Sequence, residues 1–342
     1  MDNIFYYFII VFSILFLNKF FINKNLLLSH SGDKHQEFVS KKSVPLIGGI
    51  FLIFLFITFL AKLEKYYEIV ILFLIFILGI LTDMKILNSP KKRLLMQAFF
   101  IIILTFVSKL QIIDTRIDFF NIILESEFIN FCFVVFCLLI LMNGSNFIDG
   151  LNGLLVGYFT MITIILIKID FFHFYEAEND EILFFLSTLF LVFFFNISNK
   201  LYLGDNGVYV VSTFFGLMII DYHQSFSIIS PYFFILILWY PCFENLFSII
   251  RKFRLKRSPV NADTNHLHQL LFYFLKKKNN FTNLMNNNFS SLIILSFNFL
   301  IFAISLNNIY STKLQITSIF FSVISYVIIY IYLFNFKYNN YK

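Results

Sequence analysis

The sequence predicts an all-α, polytopic membrane helical bundle of about eleven transmembrane helices, with about ten as the alternative count. Three observations predict it. Of 342 residues, 59% are hydrophobic and 13% charged, whereas a soluble domain carries about 25% charged residues. Apolar stretches long enough, or nearly long enough, to cross a ~30 Å hydrocarbon core recur along the chain. Lys and Arg divide unequally between the loops that separate these stretches.

The stretches fall near 3–22, 45–62, 66–82, 94–110, 129–143, 151–169, 182–197, 207–221, 229–250, 289–306 and 314–335. The first is too long for the apolar core of a signal peptide and lacks a small-residue cleavage site behind it, so it reads as a retained helix. Those at 129–143 and 182–197 are short and call for extension or tilt. With the first loop on the cytoplasmic side, alternation leaves only Lys62, Lys65, Lys109, Arg116, Lys168 and Lys313 of the 26 Lys and Arg on the other side. The positive-inside rule then sets the N-terminus outside and the C-terminus in the cytoplasm of a multi-pass protein of the cell inner (cytoplasmic) membrane.

The net charge of +6 is explained by this topology and by attraction to anionic lipid, and does not point to nucleic acid. Cys132, Cys137 and Cys242 all lie inside apolar runs, a pattern of neither a disulfide framework nor a metal site. The expected organisation is one domain over 1–342, with a long cytoplasmic loop at 251–288.

The candidate chemistry collects on that cytoplasmic face. Gly79-Ile80-Leu81-Thr82-Asp83-Met84-Lys85 ends the third stretch with an acid, which is costly there unless paired, hydrated or metal-bound. Asn143-Gly144-Ser145-Asn146-Phe147-Ile148-Asp149-Gly150-Leu151-Asn152-Gly153-Leu154 reads as a compact polar hairpin suited to a metal–phosphate complex. A turn that caps the next helix is the plainer alternative.

Asp205, in Leu203-Gly204-Asp205-Asn206-Gly207, is a third acid on the same face, either a helix cap or a ligand for Mg²⁺, which takes one or two carboxylates plus substrate phosphates. The 251–288 segment opens with Arg251, Lys252, Arg254, Lys256 and Arg257 and continues Asp263-Thr264-Asn265-His266-Leu267-His268-Gln269. The basic run suits anionic lipid. His266 and His268, in that basic setting, suit phosphate donation or acid–base work.

Five of these motifs, in this order, resemble those of the polyprenyl-phosphate N-acetylhexosamine-1-phosphate transferases (glycosyltransferase family 4). Pro45-Leu46-Ile47-Gly48-Gly49 is similar to the family's Pro-x-x-Gly-Gly. Asp83 is similar to the second acid of its paired-Asp motif, with Gln97 in the next helix. Asn146 to Leu154, Leu203 to Gly207 and Asp263 to His268 complete the series. The short His motif resembles the N-acetylglucosamine-1-phosphate branch more than the phospho-N-acetylmuramoyl-pentapeptide branch.

The resemblance implies Mg²⁺-dependent attack (Mn²⁺ as substitute) of a polyprenyl phosphate on a UDP-N-acetylhexosamine donor, with release of UMP and the lipid tail lying in the bilayer. It implies Asp83, Asp149, His266 and His268 as catalytic residues. Lys85, Asn143, Asn146, Tyr202 and Asp263 are the implied substrate contacts, Tyr202 as the aromatic stacked on uracil. Asp205 and Asp149 are the implied metal ligands, and a homodimer is an assembly the resemblance allows.

Thr82 stands where the family has its first Asp, Asn152 where many members have Asp, Leu46 where many have Arg, and Gln269 where many have a further His. A threonine cannot deprotonate a phosphate monoester, so either Asp83 has that task or the acceptor needs no base. The competing classes are a transporter or flippase, which should carry ionisable groups at mid-membrane, and a catalytically degenerate relative. Glu244, after Pro241 in an apolar stretch, is the exception to uncharged span centres and is expected near the cytoplasmic end beside a basic partner.

Overall fold

The computed structural model describes residues 2–29, 43–254, 256 and 264–339. Their regular structure is helical: α1 (Asp2–Lys24), α2 (Gly48–Lys62), α3 (Tyr66–Asp83), α4 (Pro90–Val107), α5 (Asp118–Leu124), α6 (Glu127–Ile148), α7 (Leu154–Lys168), α8 (Phe171–Phe174), α9 (Asn179–Ile197), α10 (Gly204–Ser225), α11 (Pro231–Ile237), α12 (Trp239–Arg254), α13 (Leu267–Lys278), α14 (Asn283–Ser305) and α15 (Thr312–Asn339). A single antiparallel bridge joins Leu28 to Pro45.

The predicted apolar stretches fall in turn on α1, α2, α3, α4, α6, α7, α9, α10, the α11–α12 pair, α14 and α15. Among the described residues, five helices (α3, α6, α9, α14 with the turn after it, and α15) are long and apolar enough to cross a membrane, six if α11 and α12 form one span. Phe106, Phe128 and Phe253 are 72%, 75% and 79% exposed. Hydrocarbon covers such side chains without cost and water does not, which marks an integral membrane protein.

Local chemistry explains the breaks. Pro90 and Pro231 each open a helix behind a serine, where proline's missing N–H has no intrahelical partner to lose. α11 and α12 are bent by 73°. Pro241 lies in the first turn of α12 and cannot donate back to the carbonyl of Ile237, so the helix cannot run through. The 251–288 segment is not loop throughout, since it contains α13.

The chain divides into two compact units. The first comprises Met1–Asn88, Asp149–Val211 and Phe281–Leu295. In it α2 packs on α3 and α9, and α7 packs on α9. An aromatic cluster fills the gap: Phe59 lies 5.7 Å from Phe172 and 5.8 Å from Phe185, ring to ring. Such edge-on pairs add roughly 0.5–1.5 kcal/mol each beyond burial. At its margin Lys62 pairs with Glu181.

The second unit comprises Ser89–Ile148, Ser212–Asn280 and Ser296–Lys342. There α6 packs on α4 and α12, and α15 on α11 and α13. Gly144 permits the closest approach: a Cβ there would stand 2.0 Å from the Pro241 carbonyl oxygen. Arg116 donates to the carbonyls of Tyr310 (2.6 Å) and Ile228 (2.5 Å) and to Thr312 Oγ1 (3.0 Å), tying three loops together.

Candidate active site

In the first unit three of the sequence motifs meet. The Gly48 N–H donates to the Tyr202 carbonyl and the Tyr202 N–H to the Pro45 carbonyl, both at 2.9 Å. Asn206, fully buried, donates its side-chain N–H to Leu46 O (3.0 Å) and to Asp83 Oδ2 (2.5 Å). Asp83 Oδ1 accepts the Asp205 N–H at 2.8 Å, and Oδ2 accepts the Asn206 N–H at 3.1 Å. The last residue of α3 thus caps α10, and its negative charge faces the positive end of that helix. Asp205 is not the cap. Its Oδ2 accepts the Tyr209 hydroxyl at 3.1 Å.

Two glycines make this meeting sterically feasible. A Cβ on Gly79 would stand 2.2 Å from Asn206 Cα, and one on Gly49 would stand 1.9 Å from Asn206 Oδ1 and 2.5 Å from the Gly207 nitrogen. Only hydrogen fits at either place. Thr82 is buried and its hydroxyl donates to Leu78 O at 3.0 Å, back into its own helix.

Asp149 begins the hairpin between α6 and α7, and Gly153 (φ +75°) turns the chain into α7. The hairpin is pinned by asparagines. The Asn152 N–H donates to Asn287 Oδ1 (2.8 Å), the Gly153 N–H donates to Asn196 Oδ1, and Ser291 Oγ donates to Asn152 O (2.7 Å). The Tyr202 hydroxyl donates to Asn199 Oδ1 at 2.5 Å, an oxygen that also receives Asn152 Nδ2 at 3.4 Å.

Burial pushes the Asp149 carboxyl well above the usual carboxylate range, with the charges of Asp205 and then Asp83 adding to it. Burial and the Asp149 charge also push the Tyr202 phenol up, so it stays protonated. Hard carboxylate oxygens that repel one another in this way suit a proton or a divalent cation between them. Among the described residues no three His, Cys, Asp or Glu side chains are grouped so as to hold a metal ion.

The second unit holds the remaining candidates. Asn143 and Asn146 belong to the last turns of α6, which runs to Ile148. This corrects the expected hairpin from Asn143: the true turn is confined to 149–153, because Asn143 bonds Leu139 O at 2.9 Å within the helix. His266 precedes α13, its N–H donating to Gln269 Oε1 at 3.2 Å. Its ring packs at 4.9 Å on Phe147 and stacks at 5.7 Å on the fully buried His268.

Glu244 Oε1 accepts from His266 Nδ1 at 2.8 Å, so the expected basic partner of Glu244 is a histidine. Arg251 donates to the Asn265 carbonyl and to the Tyr330 hydroxyl, and Lys252 lies over the Phe147 ring.

The structure thus gathers Asp83, Asp149, Asp205 and Tyr202 within one unit, and Asn143, Asn146, His266 and His268 within the other. Lys85 is exposed just beyond α3 with φ +58°. Asp263 lies outside the described residues. Asn206, Asn196 and Asn199 are not among the residues the sequence singles out. The signal in the sequence was asparagine before and within the 203–207 motif, in a chain where asparagine is otherwise common.

Residues 66–223 match the model of glycosyl transferase family 4, a stretch that includes Asp83, Asp149 and Asp205. The chain is 29% identical over 218 residues to a Bacillus subtilis (strain 168) protein, "Probable undecaprenyl-phosphate N-acetylglucosaminyl 1-phosphate transferase". That match covers 59% of this chain and 56% of the relative, so the chain spans only about half the length of the curated protein it matches. Residues 66–223, the stretch that carries Asp83, Asp149 and Asp205, are thus similar to glycosyl transferase family 4.

Proposed function

We propose that this protein transfers an N-acetylhexosamine 1-phosphate from a UDP-activated donor to undecaprenyl or another polyprenyl phosphate, releasing UMP, as the initiating step of cell-envelope polysaccharide synthesis. The observation that carries the reading is the meeting of Asp83 and Asp205, from α3 and α10, at a contact only glycine permits, with Asp149 of the α6–α7 hairpin near enough to feel both charges. In this reading the protein lies in the cell inner membrane with about eleven spans, N-terminus outside, and works at the cytoplasmic face.

Asp205 and Asp149 would hold Mg²⁺, which supplies charge neutralisation at the donor diphosphate. Asp83 keeps the start of α10, and with it Asp205, in place. Tyr202 would stack on the uracil, held by Asn199. The polyprenyl tail would lie along the exposed apolar helix faces.

The test is UMP release by purified, detergent-solubilised protein given undecaprenyl phosphate, Mg²⁺ and a panel of UDP-N-acetylhexosamines. Lipid-dependent release that vanishes in Asp205→Ala is the expected result. Silence across the panel from folded protein overturns the reading.

A further inference from the structure

Glu244 is fully buried in α12 beside Tyr326, on whose ring Trp239, Tyr240, Phe243 and Phe247 pack. A carboxylate in such surroundings costs several kcal/mol unless hydrogen bonds and an opposite charge compensate it. Both its oxygens are engaged. Oε1 meets His266 Nδ1 at 2.8 Å, and Oε2 accepts the Tyr326 hydroxyl at 2.6 Å. Tyr326 stacks on Tyr330 (6.1 Å, 6°), and Tyr330 receives Arg251, which also donates to the carbonyl just before His266. Lys337 and Tyr338 fix Asn265 from α15, each donating to its Oδ1 (2.9 and 3.0 Å). The backbone that carries His266 is thus held on one side and its ring on the other.

We propose that Glu244 is a positioning residue that fixes the orientation and tautomer of His266. A carboxylate only accepts hydrogen bonds, so the Nδ1 facing it carries the hydrogen. With Nδ1 committed to the carboxylate, Nε2 is an acceptor while the ring is neutral and a donor once it is protonated. The Phe147 and His268 rings on the imidazole leave it little freedom to flip. Carboxylate partners of this kind set the tautomer of working histidines in metal sites and hydrolases. The kinetic part of the proposal rests on the transferase reading, and the tautomer part does not.

The test uses the full chain in detergent or nanodiscs, with Glu244→Gln and Tyr326→Phe. ¹⁵N-histidine spectra, with His266 assigned through His266→Gln, should show His266 protonated at Nδ1 in the wild type. In Glu244→Gln, whose amide can turn either its oxygen or its NH₂ to the ring, that signature should weaken or switch. UMP release should fall roughly 10- to 100-fold in kcat with the donor KM unchanged. Tyr326→Phe, which leaves the Glu244–His266 bond intact, should keep kcat within about threefold.

A bare Nδ1 in the wild type overturns the proposal. So does wild-type kcat in folded Glu244→Gln, or a loss of thermal stability with the kcat of the folded fraction preserved. If the wild type releases no UMP, the transferase reading fails, and the histidine spectra still decide the role of Glu244.

Discussion

The carboxylate of Asp83 accepts the backbone N–H of Asp205 at 2.8 Å, so an acid at the end of one helix is the cap of another. The positive partial charge of the helix start faces the Asp83 carboxylate where it meets Asp205. The pairing also explains why a chain with Thr82 in place of a first acid keeps Asp83. Removing Asp83 would free two backbone N–H groups and loosen the segment that carries Asp205.

Asp83→Ala should therefore lower stability by about 1–2 kcal/mol, the usual worth of a cap, and abolish UMP release. Asp83→Asn, which retains one acceptor oxygen, should fall between it and the wild type. Thr82→Ala should stay within about threefold of wild-type activity, since its hydroxyl is spent on Leu78 O. Thermal unfolding and UMP release, measured together, check all three. An inactive but folded Thr82→Ala would contradict the assignment.

The glycines give a steric prediction. Gly79→Ala and Gly49→Ala drive a methyl into the Asn206 and Gly207 region, where backbone atoms cannot swing away. Each should cost about 1–3 kcal/mol or more and remove activity. Gly216→Ala meets side-chain ends, Leu138 Cδ2 at 2.6 Å and Leu141 Cδ2 at 3.2 Å, and should be tolerated better. Unfolding temperatures of the three variants in one detergent rank them.

Asp149 predicts a pH dependence. Its folded-state pKa is raised, by burial first and by Asp205 and Asp83 next, so between about pH 4 and that raised value the folded protein holds a proton the unfolded chain has lost. Without divalent cation, stability should fall as pH rises through this window, and Asp149→Asn should flatten the slope. Binding of Mg²⁺ must displace the proton, so its stabilising effect should grow with pH. Unfolding curves from pH 5 to 8, with and without Mg²⁺, test both signs.

Tyr202→Phe keeps the ring and loses the bond to Asn199. It should raise the donor KM about three- to tenfold, equivalent to roughly 1 kcal/mol, with kcat nearly unchanged. Tyr202→Ala should raise KM further. Steady-state kinetics over donor concentration separate the two effects.

Much of the architecture is legible in the amino-acid sequence. Runs of Phe, Ile and Leu leave a segment no alternative to helix in hydrocarbon, and each predicted stretch falls on one helix except 229–250, which the break before Pro241 divides between α11 and α12. The candidate acids are visible because a carboxylate at the end of an apolar run is costly, and the glycines because they stand beside them. The extent of α6 is not legible: Asn143 and Asn146 look like turn residues, yet Asn143 bonds back to its own helix. Glu244 is visible as an anomaly, but its partner lies 22 residues away, beyond any periodic pattern.

Composition and pattern are thus enough to make the chain helical, to place it in a membrane, and to mark the polar residues too expensive to be incidental. All three follow from the local cost of placing a side chain in hydrocarbon or water. What each polar residue does there is a matter of tertiary packing. Asp83 caps α10, Asn206 joins three motifs, and Glu244 holds His266. Hydrogen bonds between distant segments depend on where helices cross, and crossings are set by packing at single glycines such as Gly49 and Gly79.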